Sequence, residues 1–183
     1  MLTIVVPGTE YWDEIQEEFV YSDERTLELE HSLASISKWE SEYCKPFFSK
    51  ENKTHEETLF YIKCMTLTPN VESEVYDRLT NDNINKVNAY IEHSRTATWF
   101  GEEKSKKKAG SRNKQVTSEL IYYWMTVYNI PSEYQYWHLN RLITLVRVCE
   151  AESNPPDKKS KRDIMSSNAA RNAARRARTG SKG

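Results

Sequence analysis

The side chains able to do acid–base, nucleophilic or metal chemistry are few and scattered. The four histidines are His31, His55, His93 and His138. No two stand four apart, so none forms a zinc pair on a helix, and each reads as a surface or capped core residue. The three cysteines, Cys44, Cys64 and Cys149, are odd in number and lack the spacing of a metal knuckle or redox pair. Set among apolar residues, they are expected to be reduced small hydrophobes, which implies an intracellular protein. Five glycines leave little room for a phosphate-cradling loop, and no nucleophile elbow occurs. Asp13, Glu14, Glu17 and Glu18 could share one helical face. Acid–base work also needs a pocket and shifted pKa values, so a solvated acidic face is the expectation. No catalytic residue, metal or cofactor is assigned, and the chain is expected not to be an enzyme.

Binding chemistry is better represented. Tyr122, Tyr123, Trp124, Tyr128, Tyr134, Tyr136 and Trp137 crowd one stretch, and not all can face a single core stripe. They read either as a bulky core with hydroxyls at its edge or as a partner surface, where tyrosine and tryptophan serve as anchors. Net charge is −1, but its distribution is uneven. Residues 1–42 hold eleven acids and two bases, and residues 157–183 hold nine bases and two acids. The basic end reads as an interaction arm or as a solvated, solubilising tail. Neither the lysine-rich stretch 101–114 nor this tail interleaves aromatics with bases, and no helix-turn-helix is evident. Non-specific phosphate contact is compatible with the charge, whereas sequence-specific nucleic-acid recognition is not expected.

The elements that must position these groups can be read from periodicity. The length, 183 residues, fits one domain able to bury a core unaided. Leu2–Val6 is a β-branched run closed by Pro7-Gly8, and Thr26–Glu30 alternates, so two strands are expected to pair under covering helices. The stretch Glu10–Glu18 is ambiguous. From His31 onward, Leu33, Ile36, Trp39 and Tyr43 mark a helix that Lys45-Pro46 ends. Thr54 and Glu57 have capping-box spacing before Leu59, Ile62 and Met65. After the break at Thr68-Pro69-Asn70, short helices carry Val71, Val75 and Leu79, then Ile84, Val87 and Ile91. Thr96–Phe100 reads as a strand or extended segment, and 101–114 as a mobile basic loop.

Two longer amphipathic helices follow. Val116, Leu120, Trp124 and Val127 form one stripe; Ser132 should cap a second helix running to about Glu150, with Leu139, Leu142, Val146 and Cys149 together. This helical hairpin is expected to be the centre of the core. Trp137 and Arg141 would share a face, either in a buried polar network or at a contact site. Asn154-Pro155-Pro156 marks a linker. Beyond it, Asn168-Ala169-Ala170-Arg171 repeats as Asn172-Ala173-Ala174-Arg175, an Ala/Arg segment expected to order on a partner. The sum is a mainly α (α+β) domain over 1–156 with a small N-terminal β element, then a flexible basic tail over 157–183. No run approaches 18 apolar residues, so no membrane span is expected, and Met1–Val6 lacks the basic flank of a signal peptide.

Three stretches together carry a resemblance: Leu29-Glu30-His31-Ser32-Leu33 with Ser37-Lys38-Trp39-Glu40; Trp137-His138-Leu139-Asn140-Arg141-Leu142; and the tail around Ser167-Asn168-Ala169-Ala170. In order and overall length the chain resembles the tail assembly chaperones of long-tailed bacteriophages, over nearly its whole extent. The resemblance implies a protein of the infected host's cytoplasm, absent from the mature virion. It would bind the helical tape measure protein and help recruit major tail protein, with room for self-association. Residues expected to contribute to partner capture are Arg171, Arg175, Arg176 and Arg178 in the tail, with Trp137 and Arg141 in the domain. The rivals are a head–tail connector or tail component retained in the virion, and a small nucleic-acid-binding regulator.

Overall fold

A computed structural model describes residues 1–15, 17–100 and 115–153 and, near the C-terminus, 165, 166, 168, 169, 171–173, 175 and 176. The basic loop 101–114, the linker 154–156 and Arg178 lie outside the described residues. The chain divides into two compact units, Met1–Cys149 and Glu150–Gly183. It is mainly helical with a small N-terminal β element, as its periodicity implies.

The β element is larger than expected. β1 (Leu2–Val6) pairs antiparallel with β4 (Arg25–Leu29), and β2 (Thr9–Asp13) with β3 (Glu18–Ser22). Val6 pairs with Arg25 and Thr9 with Ser22, so both ladders keep one frame and form a single ribbon interrupted at Pro7-Gly8. Proline has no N–H for a ladder, which accounts for the interruption. The acidic residues Asp13, Glu14, Glu17 and Glu18 therefore do not share a helical face. They surround the hairpin tip, where Glu17 takes the left-handed conformation, φ 50°.

The interruption is held from two sides. Arg78 Nη1 donates to the Pro7 carbonyl (3.1 Å), Ser22 Oγ (2.7 Å) and the Asp23 carbonyl (3.3 Å). Gly8 lets the strands approach: a Cβ there would lie 2.3 Å from the Ser22 carbonyl oxygen. That contact is with backbone, so the strand itself would have to shift. Gly8→Ala is expected to cost about 1–3 kcal/mol by overpacking. Hydrogen exchange should show faster opening of β2–β3 amides than of β1–β4 amides; uniform protection would refute the clamp.

At its base the ribbon buries Ile4, Val6, Leu27 and Leu29 against the helices. Each such side chain withdrawn from water contributes about 1.5–3 kcal/mol. Beyond β4, Glu30 N donates to the Met65 carbonyl and Leu67 N to the Glu28 carbonyl, covering that edge. α1 (Leu33–Tyr43) opens with a Ser32–Ser35 capping box and ends at Cys44, which is left-handed and exposed rather than apolar-packed. α2 (His55–Met65) begins with the expected box: Thr54 N donates to Glu57 Oε2 (2.9 Å), and Glu57 N to Thr54 Oγ1 (3.2 Å). α3 (Ser73–Asp77) and α4 (Asn81–Glu92) follow; Asn83 Nδ2 at the start of α4 ties to the Val5 carbonyl of β1 (3.0 Å). Thr96–Phe100 is not a strand.

α5 (Ser118–Val127) turns a different face inward from the one expected. Ser118, Ile121 and Met125 are buried, while Leu120 and Trp124 are half-buried and Val127 is exposed. The helix expected from Ser132 is broken: Ser132–Tyr136 is a 3₁₀ turn with Pro131 at its N-cap, and α6 (Leu139–Ser153) starts afresh. The α5–α6 pair is not the core's centre. α2, α5 and the 3₁₀ turn all gather on α1, whose Leu33, Ile36 and Trp39 are buried.

Candidate partner-binding site

Two of the stretches that carry the resemblance meet inside the fold. Ser32 and His138 form an isolated antiparallel bridge, and Leu139 N donates to the His31 carbonyl (2.7 Å). This brings the His31 and His138 rings to 5.2 Å, edge to face. His31 Nδ1 shares a hydrogen bond with the Tyr61 hydroxyl. His138 Nε2 lies 3.1 Å from the Tyr90 carbonyl, so the imidazole donates there in the matching tautomer. The Tyr90 hydroxyl donates to Glu30 (2.7 Å), whose other oxygen pairs with the Met1 ammonium (2.7 Å).

Electrostatics follow burial. Desolvation pushes the His31 imidazole down to about 3, with the His138 ring adding to the effect. Burial also lowers His138, partly opposed by its bond to Tyr90. Desolvation raises the hydroxyl pKa values of Tyr61 and Tyr90. Both imidazoles are thus held neutral as interior polar links. Open grooves lie elsewhere. One of about 670 Å³ is lined by Lys45, Pro46, Phe48, Ser49, Lys50, Glu51 and Gln115, and neither it nor the groove beside Arg78 is lined by a histidine. Among the described residues no group of His, Cys, Asp or Glu is arranged to hold a metal ion, and no helix is long and apolar enough to cross a membrane.

The Trp137–Arg141 stretch has mixed duties. The Arg141 guanidinium lies 3.9 Å from the Trp137 ring centre, and Trp137 stacks on Tyr134 at 4.0 Å with 14° between planes. The two residues do share a face, although Trp137 ends the 3₁₀ turn instead of lying in α6. Arg141 is exposed and Trp137 half-buried, so this three-layer stack offers a cationic cap at the surface. Neighbouring Asn140 is structural: its amide donates to the carbonyls of Ile91 (3.0 Å) and His93 (2.9 Å), closing the end of α4. Of the aromatic cluster, Tyr123 and Tyr136 are exposed, while Tyr122, Trp124, Tyr128, Tyr134 and Trp137 are half-buried. The Tyr122 hydroxyl reaches Gln135 (2.8 Å), tying α5 to the turn.

In the basic tail, every described residue is helical and exposed, including Arg171, Arg175 and Arg176. Arg171 and Arg175 therefore fall on one helical face, four apart. These arginines fall in one compact unit, and Trp137 and Arg141 in the other. Sequence reading missed the His31–His138 pair, for which no local spacing exists. It also missed the outer ribbon, whose signal was present: Thr9-Glu10-Tyr11-Trp12-Asp13 and Glu18-Phe19-Val20-Tyr21-Ser22 alternate and are rich in aromatics. No family model, curated protein or solved structure matches the chain.

Proposed function

We propose that this chain is a non-catalytic tail assembly chaperone of a long-tailed bacteriophage. It binds the tape measure protein in the infected host's cytoplasm, assists recruitment of major tail protein, and leaves before the virion is complete. The observation that carries this reading is the exposed arginine face of the tail. A cationic helical arm can reach acidic stretches of a long partner and speed encounter electrostatically. The stack of Tyr134, Trp137 and Arg141 adds an aromatic surface suited to a helical client. The resemblance carried by residues 29–33, 37–40, 137–142 and 167–170 supports the reading from the sequence side.

Co-expression with the tape measure protein of the same genome tests it. The full chain should co-purify with that protein and keep it soluble, and a version ending at Pro156 should lose most of the yield. Reversing charge at Arg171, Arg175, Arg176 and Arg178 is expected to weaken capture at least about tenfold at low salt and little at high salt, because screening already removes the attraction there. An equally insoluble tape measure protein with and without the chain would refute the reading. Finding the chain in purified particles would favour a retained connector instead.

A further inference from the structure

The face that buries Ile4, Val6, Leu27 and Leu29 does not end where the core ends. Both ladders share one frame, so strand alternation carries the same face outward through Glu10, Trp12, Phe19 and Tyr21. There it has no cover: Trp12 is 50%, Phe19 55% and Tyr21 69% exposed. Trp12 and Phe19 hold each other edge to face at 4.9 Å, so the surface is shaped rather than loose. Residues 9–24 carry seven carboxylates and no lysine, arginine or histidine. A core-type aromatic surface that extends past the core, carries Glu10 and lies on an acid-rich ribbon fits a cationic segment. Guanidinium groups are drawn to aromatic faces and pair with carboxylates through two bonds at once.

The chain itself supplies a segment of that chemistry. Residues 157–183 hold nine bases against two acids. Arg171 and Arg175, four apart on a helix, are spaced by about 6 Å of rise. Alternate residues on one strand face are spaced by about 6.8 Å.

We propose that the outward face of β2–β3 binds the arginine segment of a second copy of this chain, so that copies associate through acidic ribbon and basic tail. This does not rest on the chaperone reading; the same arginines would be shared between self-association and partner capture.

Sedimentation of the purified full chain over a range of concentrations, at low and high salt, tests the proposal. Association is expected at low salt, with the apparent Kd weakened at least about tenfold at high salt. The triple variant R171E/R175E/R176E should remain monomeric. So should Glu10→Lys, which reverses the acid on that face and keeps the aromatics, and Phe19→Ser with Tyr21→Ser, each with an unchanged thermal midpoint of the domain. Mixing the tail-reversed and ribbon-reversed chains should restore association. A monomer at all concentrations in low salt overturns the proposal. So does association that ignores salt and both charge reversals, which would indicate edge pairing of the ribbon. Loss in the tail variant alone, with both ribbon variants still associating, would place the receptor elsewhere and likewise overturn it.

Discussion

Glu40→Ala is expected to lower the unfolding free energy by about 3–5 kcal/mol, the largest effect of any single substitution considered for this chain. Glu40 is 7% exposed and lies on α1, yet its carboxylate serves two other segments. Oε1 accepts from Phe47 N (2.7 Å) in the turn after α1, and Oε2 from Ser118 N (2.7 Å) at the start of α5. Thr117 makes no side-chain cap bond there, so Glu40 caps α5 from a distance and places a negative charge at a helix N-terminus. Truncation strands two buried N–H groups and unpins α5. Glu40→Gln keeps one accepting oxygen but turns an NH2 toward the other donor, so it should cost roughly half as much. Urea midpoints of the two variants check this. A loss below about 1 kcal/mol for the alanine variant would mean that water replaces the carboxylate, and the capping account would fail.

The same bond explains why α5 was misread. Ser118 to Met125 is apolar on nearly every side after Glu119, so a four-residue rhythm through Leu120, Trp124 and Val127 fits as well as one through Ile121 and Met125. The inward face is set by long-range contacts, the packing on α1 and the bond from Ser118 N to Glu40 at the start of the helix. Where the signal was chemical and local, it was legible. The Thr54–Glu57 box, the break at Thr68-Pro69-Asn70 and the β-branched first strand are local arrangements that tertiary packing did not override. The outer ribbon was hidden because its acids mimic a solvated helix face and Pro7-Gly8 resembles a terminating turn. In fact the ladder resumes in the same frame beyond it.

The candidate site divides the same way. The Trp137–Arg141 contact follows from a four-residue spacing and survives even though Trp137 precedes the helix. The His31–His138 pair depends on a bridge between distant segments, which no window of sequence contains. The conspicuous stretch Trp137-His138-Leu139-Asn140-Arg141 thus does two kinds of work. His138 and Asn140 fasten α4 to the core, while exposed Arg141 caps the half-buried Trp137. A substitution scan that mixed these residues would confuse loss of fold with loss of binding.

The histidine pair makes stability strongly dependent on pH. An imidazole whose folded pKa lies below its unfolded value binds fewer protons when folded, so acid favours the unfolded chain. His31 drops from the ordinary 6.5 to about 3, and His138 is lowered as well. Both contributions are complete above about pH 6.5; that of His31 is lost as pH falls toward about 3, and that of His138 is lost in the same direction. Each histidine contributes a slope of about 1.4 kcal/mol per pH unit while it is charged only in the unfolded chain. Between about pH 6 and 5 most carboxylates are still ionised, so the slope there should reach about one proton from His31, and the lowered His138 adds to it. Protonating one ring in place would set a buried charge 5.2 Å from its neighbour, with the Tyr61 hydroxyl and the Tyr90 carbonyl as the polar partners. His31→Gln retains a polar side chain that does not titrate, and should remove one proton from the slope whatever it does to stability at pH 8. Denaturant unfolding of both chains at half-unit pH steps gives the answer. A slope near zero in the native chain between pH 6 and 5 would mean the rings charge without cost, and the interior link between the two stretches would have to be open to water.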